Sequence, residues 1–427
     1  MIDLLIRNGN VYIEGHMREG DVLIQSGKVR AFGARLDAPV GTEVLNAEGC
    51  YVFPGFADVH VHLREPGFSY KETIATGTQA AARGGYTLVC AMPNVNPPAD
   101  TKERLADQRK IIESDACISV LPYASITLGQ RGEQLVDMEA LAAECVAFSD
   151  DGKGVQDKEI MQEAMQKAKR LGKVVAAHCE DESLIPEHAC IHDGAYAHAH
   201  GFVGIPCESE SMQVVRDLLL AEQTGCRYHV CHVSCKKTVE ALRNAKKRGL
   251  PVSGEVTPHH LVFSDGDLQD DGRFKMNPPL RSEEDRQALI GGILDGTLEI
   301  IATDHAPHSE EEKSAGLAGS AMGVVGLEVS FAAVNTFLHK SGLIGAGKLA
   351  ELMSVNPRKL MGLPAGIRID EPADLVVADP NKEWIVDPHL FASKGRSTPF
   401  EGCKLFGEIL LTIYDGAVVF RQRGTHA

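Results

Sequence analysis

Residues 58–64, Asp58-Val-His60-Val-His62-Leu-Arg64, set a carboxylate, two imidazoles and a guanidinium at a spacing of two, directly after an apolar entry run. In an extended strand, residues two apart share a face. Asp58, His60, His62 and Arg64 are therefore expected on one side, with Val59, Val61 and Leu63 on the other. Two imidazoles side by side at a strand end make half of a metal site, although one such pair is as readily a hydrogen-bonded feature of a core. Four further apolar runs end in the same residue types. Asp150-Asp151 follows Ala147-Phe-Ser, and His178 follows Val174-Val-Ala-Ala. His232 closes Tyr228-His-Val-Cys, and Asp304 closes Glu299-Ile-Ile-Ala-Thr before His305-Ala-Pro-His308. Isolated ionisable groups are costly to bury, so five tips carrying His and Asp argue for a shared site.

The elements that must carry these tips alternate. Strand-like runs at Tyr86–Met92, Val146–Phe148, Val174–Ala177, Tyr228–His232, Val252–Val256 and Leu298–Ala302 are each followed by a segment of helical period. These helical segments are 102–113, 158–171, 210–222, 236–247, 283–294 and 324–339. With the His60 strand and a run at Cys117–Pro122, about eight β/α units result, which predicts a closed (β/α)8 TIM-type barrel rather than an open sheet. Both ends of the chain read instead as short strands and turns. Asn8-Gly9 and Ser26-Gly27 are hairpin dipeptides near the start, and Asp374–Asp379, Gly407–Tyr414 and Asp415–Phe420 supply strands near the end. The expected organisation is a small β-sandwich module made from residues 1–55 and 365–427 around a barrel of residues 56–364.

In such a barrel the C-terminal strand ends converge on one pocket, which would gather His60, His62, Asp151, His178, His232 and Asp304. Six donors are too many for one tetrahedral ion. They suit two divalent ions sharing a carboxylate and a water-derived hydroxide, with mixed imidazole and carboxylate ligation pointing to zinc and leaving manganese, cobalt or iron open. Metal coordination would bring the pKa of water to roughly 7, so the reaction class is metal-assisted hydrolysis or its reverse.

Composition sets limits. The chain has 427 residues, 44% of them hydrophobic, and a formal net charge of −16. Spread acidic residues argue against nucleic acid or an anionic membrane as partner. No run approaches the ~18 apolar residues of a membrane span, and the N-terminus lacks the features of a signal peptide, so a cytoplasmic location is the expectation. Eleven scattered cysteines predict free thiols. If the ligand is an anion, local charge must outweigh the global field. Four histidines at 188, 192, 198 and 200 read as solvated loop residues, His259-His260 as structural or pocket-wall groups, and 309–319 as a mobile cover over the site.

Taken together, Gly55-Phe-Ala-Asp-Val-His60-Val-His62-Leu-Arg64, Met92-Pro-Asn94, His178, His232-Val-Ser234 and Thr303-Asp304-His-Ala-Pro-His308 resemble the amidohydrolase superfamily and, within it, the dihydroorotases. The resemblance spans almost the whole chain. It implies reversible hydrolysis of L-dihydroorotate to N-carbamoyl-L-aspartate, a step of de novo pyrimidine biosynthesis. It also implies one ion on His60, His62 and Asp304, another on His178 and His232, and a bridging carboxylate from Asp150-Asp151. Many relatives use a carboxylated lysine there; the spacing to the next histidine favours Asp151, with Asp150 an alternative. Asp304 would be the general acid/base, attack coming from the metal-bridging hydroxide. Arg64, Asn94 and His308 match the family's carboxylate-binding positions, and Asn277 in Met276-Asn277-Pro-Pro-Leu-Arg281 would meet the pyrimidine ring. A homodimer and a complex with aspartate transcarbamoylase are the macromolecular partners this resemblance raises. The rivals are another cyclic amidase (a dihydropyrimidinase, hydantoinase or allantoinase) and a non-catalytic relative acting as an assembly partner.

Overall fold

The computed structural model describes residues 1–424. Its centre is a ring of eight parallel strand positions. Phe56–Val61 pairs with Tyr86–Ala91, which pairs with Ser119–Pro122. A one-residue bridge at Phe148 links Ala124 to Val175, and Val174–Ala177 then leads through Arg227–Val230 and Val252–Val256 to Ile300–Ile301. A parallel bridge from Val61 to His305, with the His62 N–H donating to the His305 carbonyl at 2.8 Å, closes the ring. The eight expected strands are these eight.

Strict alternation fails in the first strand. Its register against Tyr86–Ala91 shifts on both sides of Ala57-Asp58, and Val59 joins Ala57, Leu88 and Cys90 in one cluster while Val61 packs in another. A bulge of this kind re-aims side chains at a barrel rim.

Most helices match the expected segments. Lys158–Leu171 is capped by Asp157, whose side chain accepts from the Ile160 N–H, and ends at Gly172 with φ +69°. Two segments differ. Residues 324–329 are not helical, because Val324 bridges to His305 and helix starts only at Ser330–Val334. A helix at Ile74–Arg83, absent from the expected segments although Ile74, Gly77, Thr78 and Ala81 line one buried face, follows the first strand.

The two chain ends share one eight-stranded sheet, joined where Tyr51–Pro54 pairs antiparallel with Leu375–Ile385. The sheet folds back on itself round a core of Leu4, Ile6, Val22, Ile24, Leu375 and Ile413, and its edge strand Lys28–Gly33 meets the segment leading into Leu375–Ile385 through a Lys28–Pro372 bridge. Asn8-Gly9 is not the expected hairpin. Leu4–Ile13 is one continuous strand, and the turn falls at Glu14-Gly15. Asn8 takes φ +56° as a bulge whose N–H donates to Asp21 Oδ1, so Asp21 satisfies the group that a turn would have exposed. Ser26-Gly27 does form a turn, with φ +51° and +73°.

Candidate metal centre and anion pocket

The strand ends bring five of the expected donors to one mouth around Asp151. Asp151 Oδ1 lies 3.2 Å from His60 Nε2, 3.6 Å from His232 Nε2 and 4.0 Å from His178 Nδ1, while Oδ2 lies 3.4 Å from His62 Nε2. Asp304 Oδ1 stands 3.0 Å from His62 Nε2 and 3.5 Å from His60 Nε2. All six side chains are buried. Asp150 is turned away: one oxygen accepts from the Ile126 and Thr127 N–H groups at 2.7 and 3.1 Å, and the other accepts from the Thr127 hydroxyl.

The outward ring nitrogens are held by acceptors, and this fixes what the inward nitrogens can do. His60 Nδ1 donates to Glu255 at 2.6 Å, His62 Nδ1 to Asn94 Oδ1 at 2.8 Å, and His178 Nε2 to Glu180 at 3.3 Å. Each ring then aims a lone pair inward, the arrangement carboxylates and amides impose on metal-ligating histidine. His178 Nδ1 and His232 Nε2 face each other at 3.0 Å, and His60 Nε2 and Asp151 Oδ1 are buried without a hydrogen-bond partner among the described residues. Converging acceptors with no donor between them fit a cation; nothing else in the donor set would pay their burial.

The field at this mouth favours a positive charge. Burial alone would lower His60, yet Asp151 and Glu255 raise it well above the ordinary imidazole range. Burial would raise Asp304, yet His60 and His62 hold it well below the usual carboxylate range. Strain gathers here too, since Arg64, His232 and Asp304 have φ of +61°, +31° and +47°. Side chains rarely hold such a backbone unless their surroundings over-determine it. Asp58 is part of that scaffold, accepting from the His60 and Thr303 N–H groups and so tying the first strand to the last.

Sequence reading missed Glu255, which accepts from His60 Nδ1, His229 Nε2 and the His232 N–H. Burial opposes its charge, but His60 and His229 hold it down at about 2. The signal was present in Val252-Ser-Gly-Glu-Val256, where Ser253 and Glu255 share a face inside an apolar strand and Ser253 bonds His229.

Beside the donors lies the second half of the pocket, lined by Arg64, Asn94, Asn277, His308 and Gly323. Arg64 is buried, donates from Nε to the Pro307 carbonyl at 3.1 Å and keeps its terminal nitrogens beside His308. His308 Nε2 donates to the Met322 carbonyl at 2.9 Å and Nδ1 accepts from Lys71 at 3.2 Å. Burial, Arg64 and Lys71 push His308 down to about 3, so it is neutral at working pH. Gly323 has φ +138°, and a Cβ there would stand 3.0 Å from His308 Nε2 and 2.7 Å from the Ala306 carbonyl, so only glycine lets the chain pass. The expected cover, 309–319, forms two short helices, Glu310–Lys313 and Gly316–Gly319. They are pinned by Lys313, whose ammonium donates to the Lys275, Ala321 and Gly323 carbonyls. Arg64 thus supplies local positive charge against the global −16, whereas Lys71 is paired with Glu312 at 2.8 Å and burial pushes Lys313 down to about 7.

Asn277 lines the pocket but gives its amide N–H to Glu180. His259 and His260 are buried as expected. His192 is not solvated: it sits buried in a short strand beside Arg281, 3.4 Å away. All eleven cysteines are free. Among the described residues no helix is long and apolar enough to cross a membrane.

A dihydro-orotase-like family model matches residues 49–238. The chain is 46% identical over 423 residues to the dihydroorotase of Geobacillus sp., covering 98% of this chain and 99% of that one. It is 46% identical over 422 residues to the dihydroorotase of Bacillus subtilis, covering 98% of each. Among solved structures, the L-hydantoinase (dihydropyrimidinase) of Arthrobacter aurescens superposes with a TM-score of 0.87 at 25% identity over 99% of this chain and 96% of its own.

Proposed function

This chain belongs to the dihydroorotase family, and from that premise we propose how its barrel mouth carries out the reversible hydrolysis of L-dihydroorotate to N-carbamoyl-L-aspartate. The observation that supports the reading is the convergence of His60, His62, His178, His232, Asp151 and Asp304 next to the buried Arg64. His60, His62 and Asp304 would hold one divalent ion, His178 and His232 a second, with Asp151 shared between them; zinc is our assignment from the imidazole and carboxylate donors. When bound, the ions supply Lewis acidity to the scissile carbonyl and make water acidic enough to ionise near neutrality.

The chain's own residues do the rest. Asp304 takes a proton from the attacking water as its oxygen bonds to the ring carbonyl carbon, and returns that proton to the ureido nitrogen as the carbon–nitrogen bond breaks. The oxygen of water ends in the new carboxyl group and one of its protons on the ureido nitrogen, while the second proton leaves to solvent as that carboxyl group ionises. In synthesis the same carboxylate runs the transfer backwards. Arg64 receives the α-carboxylate of dihydroorotate, with neutral His308 and Asn94 beside it and Asn277 against the ring. Replacing Arg64 by methionine should raise KM about 100-fold, the worth of two charge-assisted hydrogen bonds, with kcat held within a few-fold. Steady-state kinetics read this directly, and an unchanged KM would remove Arg64 from the substrate site.

Solved relatives of this fold include hydantoinases, so substrate choice is the decisive test. Ring opening of dihydroorotate, dihydrouracil, hydantoin and allantoin should favour dihydroorotate by about 10⁴ in kcat/KM, because a site built to hydrogen-bond a group rejects analogues that lack it. Equal turnover of dihydrouracil would sink the assignment. The reading also takes residues 56–364 as the catalytic barrel and 1–55 with 365–427 as its supporting module, and sets the enzyme in the cytoplasm. Self-association as a homodimer and assembly with an aspartate transcarbamoylase belong to it as expectations of the family, and sedimentation of the protein alone and mixed with that enzyme would test them.

A further inference from the structure

Glu180 is a carboxylate that the reaction above does not use, yet it touches both halves of the pocket. Its Oε2 accepts from His178 Nε2 at 3.3 Å, and its two oxygens lie 3.1 and 3.2 Å from Asn277 Nδ2. The backbone beneath it is fixed from two sides, since the Glu180 N–H donates to Gln213 Oε1 at 3.0 Å and its carbonyl accepts from Gln156 Nε2 at 2.8 Å. Gln213 is in turn packed on Gly154, where any Cβ would lie 2.4 Å from its Oε1. The side chain is 15% exposed and sits behind His178 and Asn277, which both line the pocket.

We propose that Glu180 is a positioning residue that couples the metal-facing imidazole of His178 to the substrate-facing amide of Asn277. The inference rests on the functional reading given above and extends it. Accepting from Nε2 leaves His178 Nδ1 without a proton, as a ligand requires. Accepting from Nδ2 fixes the flip of Asn277, so that the amide oxygen and one N–H remain for the ring of the substrate. Oε2 lies within reach of both donors and Oε1 faces Asn277 Nδ2 as well, so both positions of the terminal group must be acceptors. An isosteric glutamine has one acceptor oxygen, and its NH2 group would meet either the His178 N–H or the Asn277 N–H donor to donor.

The test uses the metal-loaded full chain and orotate, an unreactive planar analogue of the substrate, as the calorimetric probe. Glu180→Gln and Asn277→Ala should each weaken orotate binding about 10-fold, and the double variant should weaken it by about the same 10-fold rather than the 100-fold product, because the two act as one unit. In a chelator titration, half the bound zinc of Glu180→Gln should leave at about 10- to 100-fold lower chelator than in the parent, with Asn277→Ala unmoved. Glu180→Asp, which keeps the charge but cannot reach both partners, should behave like the glutamine variant if that one folds poorly. Multiplicative losses in the double variant, or parental zinc retention in both Glu180 variants, would overturn the coupling and leave the functional reading intact. Parental orotate binding by Asn277→Ala would overturn the coupling by removing Asn277 from the substrate site.

Discussion

Asp304→Asn should lower kcat by at least about 10³-fold in both directions while leaving metal content at the parental level, within the range set by losing a positioned general acid/base. The substitution keeps an oxygen at the position that stands 3.0 Å from His62 Nε2, so ligation geometry survives, but an amide cannot take up and return a proton. The left-handed backbone at this residue, φ +47°, tolerates asparagine better than almost any other side chain, which separates the chemical effect from a folding effect. KM should stay within a few-fold, because Arg64, Asn94, His308 and Asn277 are untouched. Kinetics in the hydrolytic and synthetic directions, with metal analysis of the same preparation, check the expectation. Near-parental turnover would transfer the proton-carrying role away from Asp304.

The strand ends were legible from sequence because each couples two strong signals, a short apolar run and an ionisable residue that such a run cannot bury alone. His60, His178, His232 and Asp304 all follow that pattern, and all four reach the same mouth. Glu255 and Glu180 were harder to see because their meaning depends on partners 195 and 2 residues away whose side-chain directions only the folded barrel fixes. The same limit explains Asn8-Gly9, whose dipeptide permits a left-handed backbone but cannot say whether it serves a turn or a bulge; the carboxylate of Asp21 decides. Likewise Val324 carries a helical pattern in sequence but lies against His305, and the pairing that completes the barrel rim outweighs local propensity. Where the local pattern was ambiguous, the long-range partner resolved it.

Asp150 and Asp151 are adjacent carboxylates that should fail in opposite ways, and the contrast is the sharpest check on which one belongs to the metal centre. Asp151→Ala is expected to fold with a melting temperature near that of the metal-stripped parent, to lose most of its metal, and to lose activity by about 10³-fold or more. The reason is that Asp151 faces four imidazoles and leaves its Oδ1 buried without a hydrogen-bond partner, so little of the polypeptide's own bonding depends on it. Asp150→Ala is expected instead to cost about 3 kcal/mol of stability, since the Ile126 and Thr127 N–H groups and the Thr127 hydroxyl would be left as buried donors with no acceptor. The fraction of Asp150→Ala that folds should still take up metal, because the chain from Ser149 onward carries Asp151 to the centre through the Asp151 N–H bond to Ser149 Oγ at 3.0 Å. Calorimetric melting and metal content, measured on both variants side by side, separate the two roles. Metal loss confined to the Asp150 variant, with a parental metal load in Asp151→Ala, would move the bridging position by one residue and overturn the geometry on which the hydrolytic centre is built.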